Sequence, residues 1–177
     1  MRQLAAFPVL LLALALPAAA SAGPLPDPET IQIKVPKSIG GVELGQTLKA
    51  ADKAWGKTGD CQGDKSFGSC AYGDFSGKKG SASIEANDGE VTSFGIFTNF
   101  DEHGRPIFKG SLLEFQTKEG IGLGSPASDV KKAYPKAEKL KGQGYLVNGK
   151  GKSYMVFTVL GGKKVSSIGV ADGKHQG

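Results

Sequence analysis

The chain has 177 residues, with 22 Lys and Arg against 17 Asp and Glu and a formal net charge of +5. Its 27 glycines follow no three-residue period, which excludes a collagen-like fibre and points to many tight turns between short strands. Beyond position 22 the only arginine is Arg105, and the lysines are scattered in turns (Lys78, Lys79, Lys131, Lys132, Lys150, Lys152, Lys163, Lys164), so the clustered basic and aromatic face of a nucleic-acid binder is missing and no nucleic-acid partner is expected.

Residues 1–22 read as a signal peptide. Met1-Arg2-Gln3 gives a positive start, Leu4 to Leu16 an apolar stretch, and Ala20-Ser21-Ala22 a small-residue cleavage site. Pro8 and the shortness of the run argue against a retained membrane span, and no cysteine follows to carry a lipid anchor. The expected product is exported, secreted or periplasmic, and soluble. Residues 23–29 (G-P-L-P-D-P-E) form a Pro-rich tether that cannot be helix or inner strand. From Thr30 to Val35, Ile31, Ile33 and Val35 alternate with polar residues as in a short strand.

A repeat then organises the chain. Val42–Lys57 reads V-E-L-G-Q-T-L-K-A-A-D-K-A-W-G-K and Ile121–Lys136 reads I-G-L-G-S-P-A-S-D-V-K-K-A-Y-P-K. A second echo pairs G-E-V-T-S-F-G-I (Gly89–Ile96) with K-K-V-S-S-I-G-V (Lys163–Val170). The block Gly45–Trp55 predicts a short helix with Leu48, Ala51, Ala54 and Trp55 on one side. In the second copy Ser125 is the expected cap, Pro126 the first helical residue, and Ala127, Val130 and Tyr134 the apolar stripe. Strands are expected at Ser69–Phe75, Ser81–Ala86 and Glu90–Thr98, with Asn87-Asp88-Gly89 as a hairpin turn. Further strands follow at Ser111–Thr117, Tyr145–Asn148, Ser153–Leu160 and Lys164–Val170. The organisation is then repeat 1 over 30–100, a linker over 101–110, repeat 2 over 111–171 and a frayed tail over 172–177. One short helix on three strands buries a thin layer. The expected fold is therefore α+β, two tandem repeats joined edge to edge into one continuous antiparallel sheet with the helices on one face.

Cys61 and Cys70 flank a Gly-rich loop. In an exported chain such a pair is most simply a disulfide, contributing roughly 2–3 kcal/mol in the chain-entropy account. The lead-ins V-E-L-G-Q-T and I-G-L-G-S-P, the helix ends Trp55-Gly56 and Tyr134-Pro135, and this cysteine pair resemble the β-lactamase inhibitor protein family. The outer-membrane assembly lipoproteins of the SmpA/OmlA kind carry a similar lead-in. The resemblance implies two α/β repeats whose concave sheet grips a protein. The chain departs from it in lacking a second cysteine pair and a lipid-anchor cysteine.

Reactive chemistry is sparse. Asp101-Glu102-His103 offers three ligand types in a row, but neighbours on an extended linker point apart, and no metal site is expected. Ser128-Asp129-Val130-Lys131 matches S-x-x-K without the K-T-G strand that chemistry requires, and Ser128 belongs in the first turn of a helix. The run N-G-K-G-K-S (Asn148–Ser153) has Leu146 where a phosphate loop needs glycine. With only His103 and His175 available, no nucleophile, base and orienting group can be assembled. No catalytic residue, metal or cofactor is expected.

One surface signal remains. With Phe94, Ile96, Ile168 and Val170 facing the helices, regular hairpin pairing sends Val156 and Leu160 inward. Met155, Phe157 and Val159 then lie on the other face beside Phe97. The strand is either covered on both sides, by the N-terminal segment or a second copy, or its outer face is a partner-binding patch. The functional expectation is a non-enzymatic protein-binding or inhibitor-like module using the helix-free face of its sheet. The partner would be another exported or envelope protein, and the alternative is a cell-envelope structural or assembly factor of the SmpA/OmlA type. The sequence sets no oligomeric state.

Overall fold

The computed structural model describes residues 24–75, 80–107, 110–141, 143–149, 151–161 and 163–173. The expected signal segment 1–22, Lys78, Lys79, Lys150 and the tail from 174 with His175 lie outside them. In chain order the elements are β1 (Gln32–Lys34), β2 (Ser38–Ile39), β3 (Val42–Glu43), α1 (Leu48–Ala54), β4 (Asp60–Gly63), β5 (Phe67–Gly73), β6 (Ser81–Asn87) and β7 (Glu90–Phe97). A 3₁₀ turn (Ser111–Glu114) follows, then β8 (Gln116–Thr117), α2 (Ala127–Ala133), β9 (Glu138–Leu140), β10 (Gly144–Asn148), β11 (Ser153–Leu160) and β12 (Lys164–Asp172).

The fold is α+β. Eight strands form one antiparallel sheet in the order β4-β5-β6-β7-β12-β11-β10-β9. Each half supplies a four-stranded meander, and the last strands of the two meanders, β7 and β12, pair with each other. At the centre of that pair Gly95 faces Gly169, with Ile96 opposite Ile168 and Phe94 opposite Val170. Gly95 and Gly169 occupy the same place in the two echoes, so an approximate twofold axis passes between them.

The repeated lead-ins are explained by how each helix docks on its sheet. Gly45 and Gly124 have φ of +80° and +86°, a region that glycine adopts without penalty. There the chain turns from an extended segment into the helix and bonds to the start of the last strand. Gly45 N donates to Val91 O (2.9 Å) and Val91 N to Gln46 O (2.7 Å); Gly124 N donates to Val165 O (2.8 Å) and Val165 N to Ser125 O (2.9 Å). Thr47 Oγ1 caps α1 by accepting from Ala50 N at 3.2 Å. The second copy departs from expectation. Pro126 is the N-cap residue of α2, with no side-chain cap bond, and Ser125 Oγ accepts instead from Gly122 N at 3.0 Å.

One face of the large sheet is buried under α1, α2 and a second sheet that was not expected. This mixed, four-stranded sheet has the order β3-β2-β1-β8, with β1 antiparallel to β2 and parallel to β8. The segments leading to the two helices pair across the N-terminal strand instead of extending the large sheet, and Ile33, Ile39 and Phe115 enter the shared core. Ser111–Thr117 is correspondingly not one strand. Leu112 and Phe115 are both fully buried, and residues three apart share a side on a helical turn but oppose each other on a strand. Gly23 of the expected extended tether lies outside the described residues, and the rest of it is held to the domain: Leu25 packs on the core, Asp27 N donates to Trp55 O (3.2 Å), and Ser111 Oγ donates to Pro26 O (3.1 Å). At the other end, Asp172 pairs with Ser153 in the ladder, so the strand outlasts the expected fraying point.

Two β-bulges set the register. In the β11–β12 hairpin Leu160 faces Lys164 and Val159 faces Val165, but Thr158 then faces Ser167, leaving Ser166 as an extra residue. In β6–β7 Ala86 faces Val91 and Glu85 faces Ser93, leaving Thr92 extra. Thr92 and Ser166 are the same position of the two repeats. A regular ladder from Leu160 would set Val156 against Ile168; the bulge sets Phe157 there. Because side chains alternate, that one-residue shift exchanges the faces of the whole strand. Met155, Phe157 and Val159 are therefore core residues, at 0%, 0% and 5% exposure. Their expected place on the outer face is corrected.

Two tyrosines tie helices and loops to this core. Tyr72 OH donates to Asp52 Oδ1 at 2.8 Å, and burial followed by that bond pushes its pKa up. Tyr134 stacks on Phe157 with centroids 5.5 Å apart and donates to Glu119 Oε2 at 2.7 Å. That bond is the main reason the Glu119 carboxyl lies below its ordinary value of 4.5.

Two outcomes follow. Phe157→Ala should lose about 3–5 kcal/mol of unfolding free energy in urea, whereas Val156→Ser should stay within about 1 kcal/mol; a larger loss from Val156→Ser than from Phe157→Ala would mean the opposite register. The Glu119–Tyr134 bond contributes stability above the ordinary Glu range and loses it as pH falls through the depressed folded pKa. Tyr134→Phe should therefore shrink the stability difference between neutral pH and pH below 4.5, read as a smaller acid-dependent fall in urea midpoint.

Candidate binding face

Among the described residues the other face of the large sheet carries no helix, and ladder register places its residues in rows across the strands. The middle row is Ser83, Gly95, Gly169 and Val156. On one side of it run Ser81, Phe97, Ser167 and Thr158; on the other run Glu85, Ser93, Ala171 and Tyr154. Small residues in the middle with larger ones at the margins make a depression of about 290 Å³ crossing the four central strands. At roughly 4.8 Å between strands its floor spans about 14 Å.

Phe97 is 37% exposed, and its ring lies against Gly95: a Cβ built on Gly95 would stand 3.3 Å from Phe97 Cζ. Gly169 is roomier, its nearest neighbour being Phe94 O at 3.7 Å from such a Cβ. Ser93 Oγ donates to Glu85 Oε2 at 2.7 Å across the strands. The floor is thus bare backbone and hydroxyl, with Ser83, Ser93 and Glu85 forming a polar bank and Val156 and Tyr154 an apolar one.

Of the residues singled out from sequence, only Phe97 belongs to this face. Met155, Phe157 and Val159 line the opposite one. Cys61 and Cys70 form a disulfide between directly facing positions of β4 and β5, closing the edge hairpin. Asp52 places a carboxylate oxygen within 4.8 Å of both sulfurs, but disulfide sulfurs offer no thiolate to a metal. The acidic linker is occupied internally: Asp101 Oδ1 accepts from His103 N and Arg105 N, and Oδ2 from Arg105 Nε, each at 2.9 Å. These bonds hold the Asp101 carboxyl below its usual range. Ser128 Oγ is exposed beside Asp129 Oδ1 at 3.4 Å. Sequence reasoning missed Ser83, Glu85, Gly95, Tyr154, Val156 and Gly169. The recurring S-x-G of Ser93–Gly95 and Ser167–Gly169 was the available signal for the floor.

Another depression, of about 390 Å³, lies beside Glu119, Asp129 and Lys132. Its carboxylates are engaged: Glu119 by Tyr134 and Asp129 by Lys132 at 3.8 Å. The row-crossing groove is the better candidate because its floor is built from the fold's symmetry centre.

No protein-family model and no curated protein matches the chain. Among solved structures it is similar to a cysteine-rich secretory protein of Staphylococcus aureus (11% identity, 74% of this chain and 45% of that one, TM-score 0.43). It is also similar to an extracellular protein containing an SCP domain from Bacillus anthracis (10% identity, 80% and 50%, TM-score 0.46). The chain spans about half the length of these proteins, and likeness at this level transfers no function. The expected resemblance to β-lactamase inhibitors and SmpA/OmlA lipoproteins is corrected: no family model carries it, and the matching structures are secretory proteins of another description. The motif behind it has a local cause, since a left-handed glycine and two strand bonds are what this helix docking demands.

Proposed function

We propose that the chain is an exported, non-enzymatic module that binds another exported or envelope protein on the helix-free face of its sheet. The observation that carries this reading is the groove: an open sheet face with a glycine and serine floor at its symmetry centre and Phe97, Tyr154 and Val156 at the margins. Small floors admit close approach of a partner's backbone, and half-exposed aromatics at the margins supply apolar contact area. The Cys61–Cys70 disulfide fits an oxidising compartment. No helix among the described residues is long and apolar enough to cross a membrane. The non-enzymatic reading rests on His103 and Ser128 lying apart on exposed segments, with Asp101 consumed by its own turn.

A photo-crosslinking phenylalanine at position 154 should form an adduct with a partner protein in the producing cell's exported fraction, and one at Lys53 on α1 should not. Gly169→Leu, which fills the groove, should remove the adduct without altering circular dichroism or lowering the urea midpoint. Equal adducts from both positions would overturn the reading.

A further inference from the structure

The three rows of the open face have a charge pattern that the chain as a whole does not. Followed outward through the ladder, the middle row reaches Ala71 and Asp60 at one end and Leu146 and Glu138 at the other. The Glu85 row reaches Ser69 and Gln62, and Asn148; the Phe97 row reaches Gly73, and Gly144 and Leu140. The charged residues in these rows are Asp60, Glu85 and Glu138. None is Lys or Arg, although the chain holds 22 of those against 17 acids. Beyond the Phe97 row Lys164 Nζ donates to Gly104 O, and beyond the Glu85 row the exposed Lys152 stands two residues before Tyr154.

We infer that the groove takes a protruding turn of a protein partner that carries a lysine or arginine toward Glu85 and an apolar residue toward Val156 and Tyr154. This deepens the proposed function and rests on it. The geometry supplies the direction. Glu85 and Tyr154 sit in one row at opposite ends of four strands, about 14 Å apart at the usual strand spacing, which is too far for one side chain but is bridged by a turn whose end residues, up to about 7 Å apart, point a long basic and an apolar side chain in opposite directions. Glu85 is already oriented by Ser93 Oγ, so its carboxylate is held at the polar bank. An anionic ligand would meet the carboxylate of Glu85, the one charged side chain that lines the groove; a neutral one would leave Glu85 without a counter-charge. The bare backbone of Gly95 and Gly169 between the two ends lets a turn lie close to the sheet.

The test uses the isotope-labelled mature protein and three cyclic peptides of equal length, displaying Arg-Gly-Ser-Leu, Glu-Gly-Ser-Leu or Arg-Gly-Ser-Ser, together with chitotetraose as a neutral glycan. The Arg…Leu peptide should shift the amide signals of Gly95, Gly169, Ser93 and Tyr154, and bind at least about tenfold more tightly than the Glu…Leu peptide. Raising salt should weaken it. Glu85→Gln should cost about five- to tenfold, and Gly169→Leu should abolish the shifts. Equal binding of the acidic peptide, shifts confined to another surface, or preference for chitotetraose would each overturn the inference. If Gly169→Leu removes the partner crosslink from position 154 but Glu85→Gln does not, the basic-turn inference falls while the binding-face reading stands. If Gly169→Leu affects neither, both fall.

Discussion

The whole molecule depends on the pairing of β7 with β12 and on the bulge that precedes it in each strand. The two hairpins β6–β7 and β11–β12 would be regular but for Thr92 and Ser166. Those extra residues switch the alternation of each ladder part-way along. Val91 and Val165, before the bulges, and Phe94, Ile96, Ile168 and Val170, after them, are thereby all directed to one side and are all buried. Without the switch, each hairpin's two strands would disagree about which face is the core. The same bulges increase local twist, which suits a sheet of eight strands that the described residues cover on one side only.

The seam that joins the halves is apolar on one face and bare on the other. Ile96 against Ile168 and Phe94 against Val170 supply the cohesion. Gly95 against Gly169 supplies none from side chains, and a glycine in a strand interior is destabilising by roughly 0.5–1 kcal/mol. Two such residues facing each other at the symmetry centre are a cost the core does not require. Close neighbours account for Gly95, where a Cβ would stand 3.1 Å from Ile168 O and 3.3 Å from both Gly169 Cα and Phe97 Cζ. At Gly169 a side chain would meet ordinary van der Waals distance, so the open groove is its clearest consequence. Departures from symmetry fall around this floor: Phe97 answers to Ala171, Ser83 to Val156 and Glu85 to Thr158.

Much of the frame could be read from sequence because it rests on local chemistry. The hairpin at Asn87-Asp88-Gly89, the strand Ser153–Leu160, both helices and the Cys61–Cys70 bridge all have signals confined to a few residues. The repeat further implied that the halves share one sheet, and β7–β12 is how they do. What could not be read depends on contacts distant in sequence. The pairing of β1 with both β2 and β8 brings together Ile33, Ile39 and Thr117, and nothing local to Gln116-Thr117 announces a parallel partner far upstream. The bulge was the costliest omission. Val-Ser-Ser and Val-Thr-Ser read as ordinary strand, yet one unpaired residue moved Met155, Phe157 and Val159 from a supposed binding patch into the core and brought Tyr154 and Val156 out.

A chain of net charge +5 would seem a poor receptor for a basic turn, but net charge acts only over the screening length. That length is about 8 Å at physiological ionic strength. Lys49, Lys53, Lys131 and Lys132 are carried by the two helices, which cover the far side of the sheet, and layers of secondary structure stack about 10 Å apart. Each helix lysine is thus more than a screening length from the groove floor, with low-dielectric core between. At the groove the local charge decides, and the charged side chain that lines it is Glu85. The helix lysines then serve solubility on the far side, while among the described residues the groove itself is lined by no lysine or arginine. Charge and topology select the same face for different physical reasons, and that agreement is what singles it out.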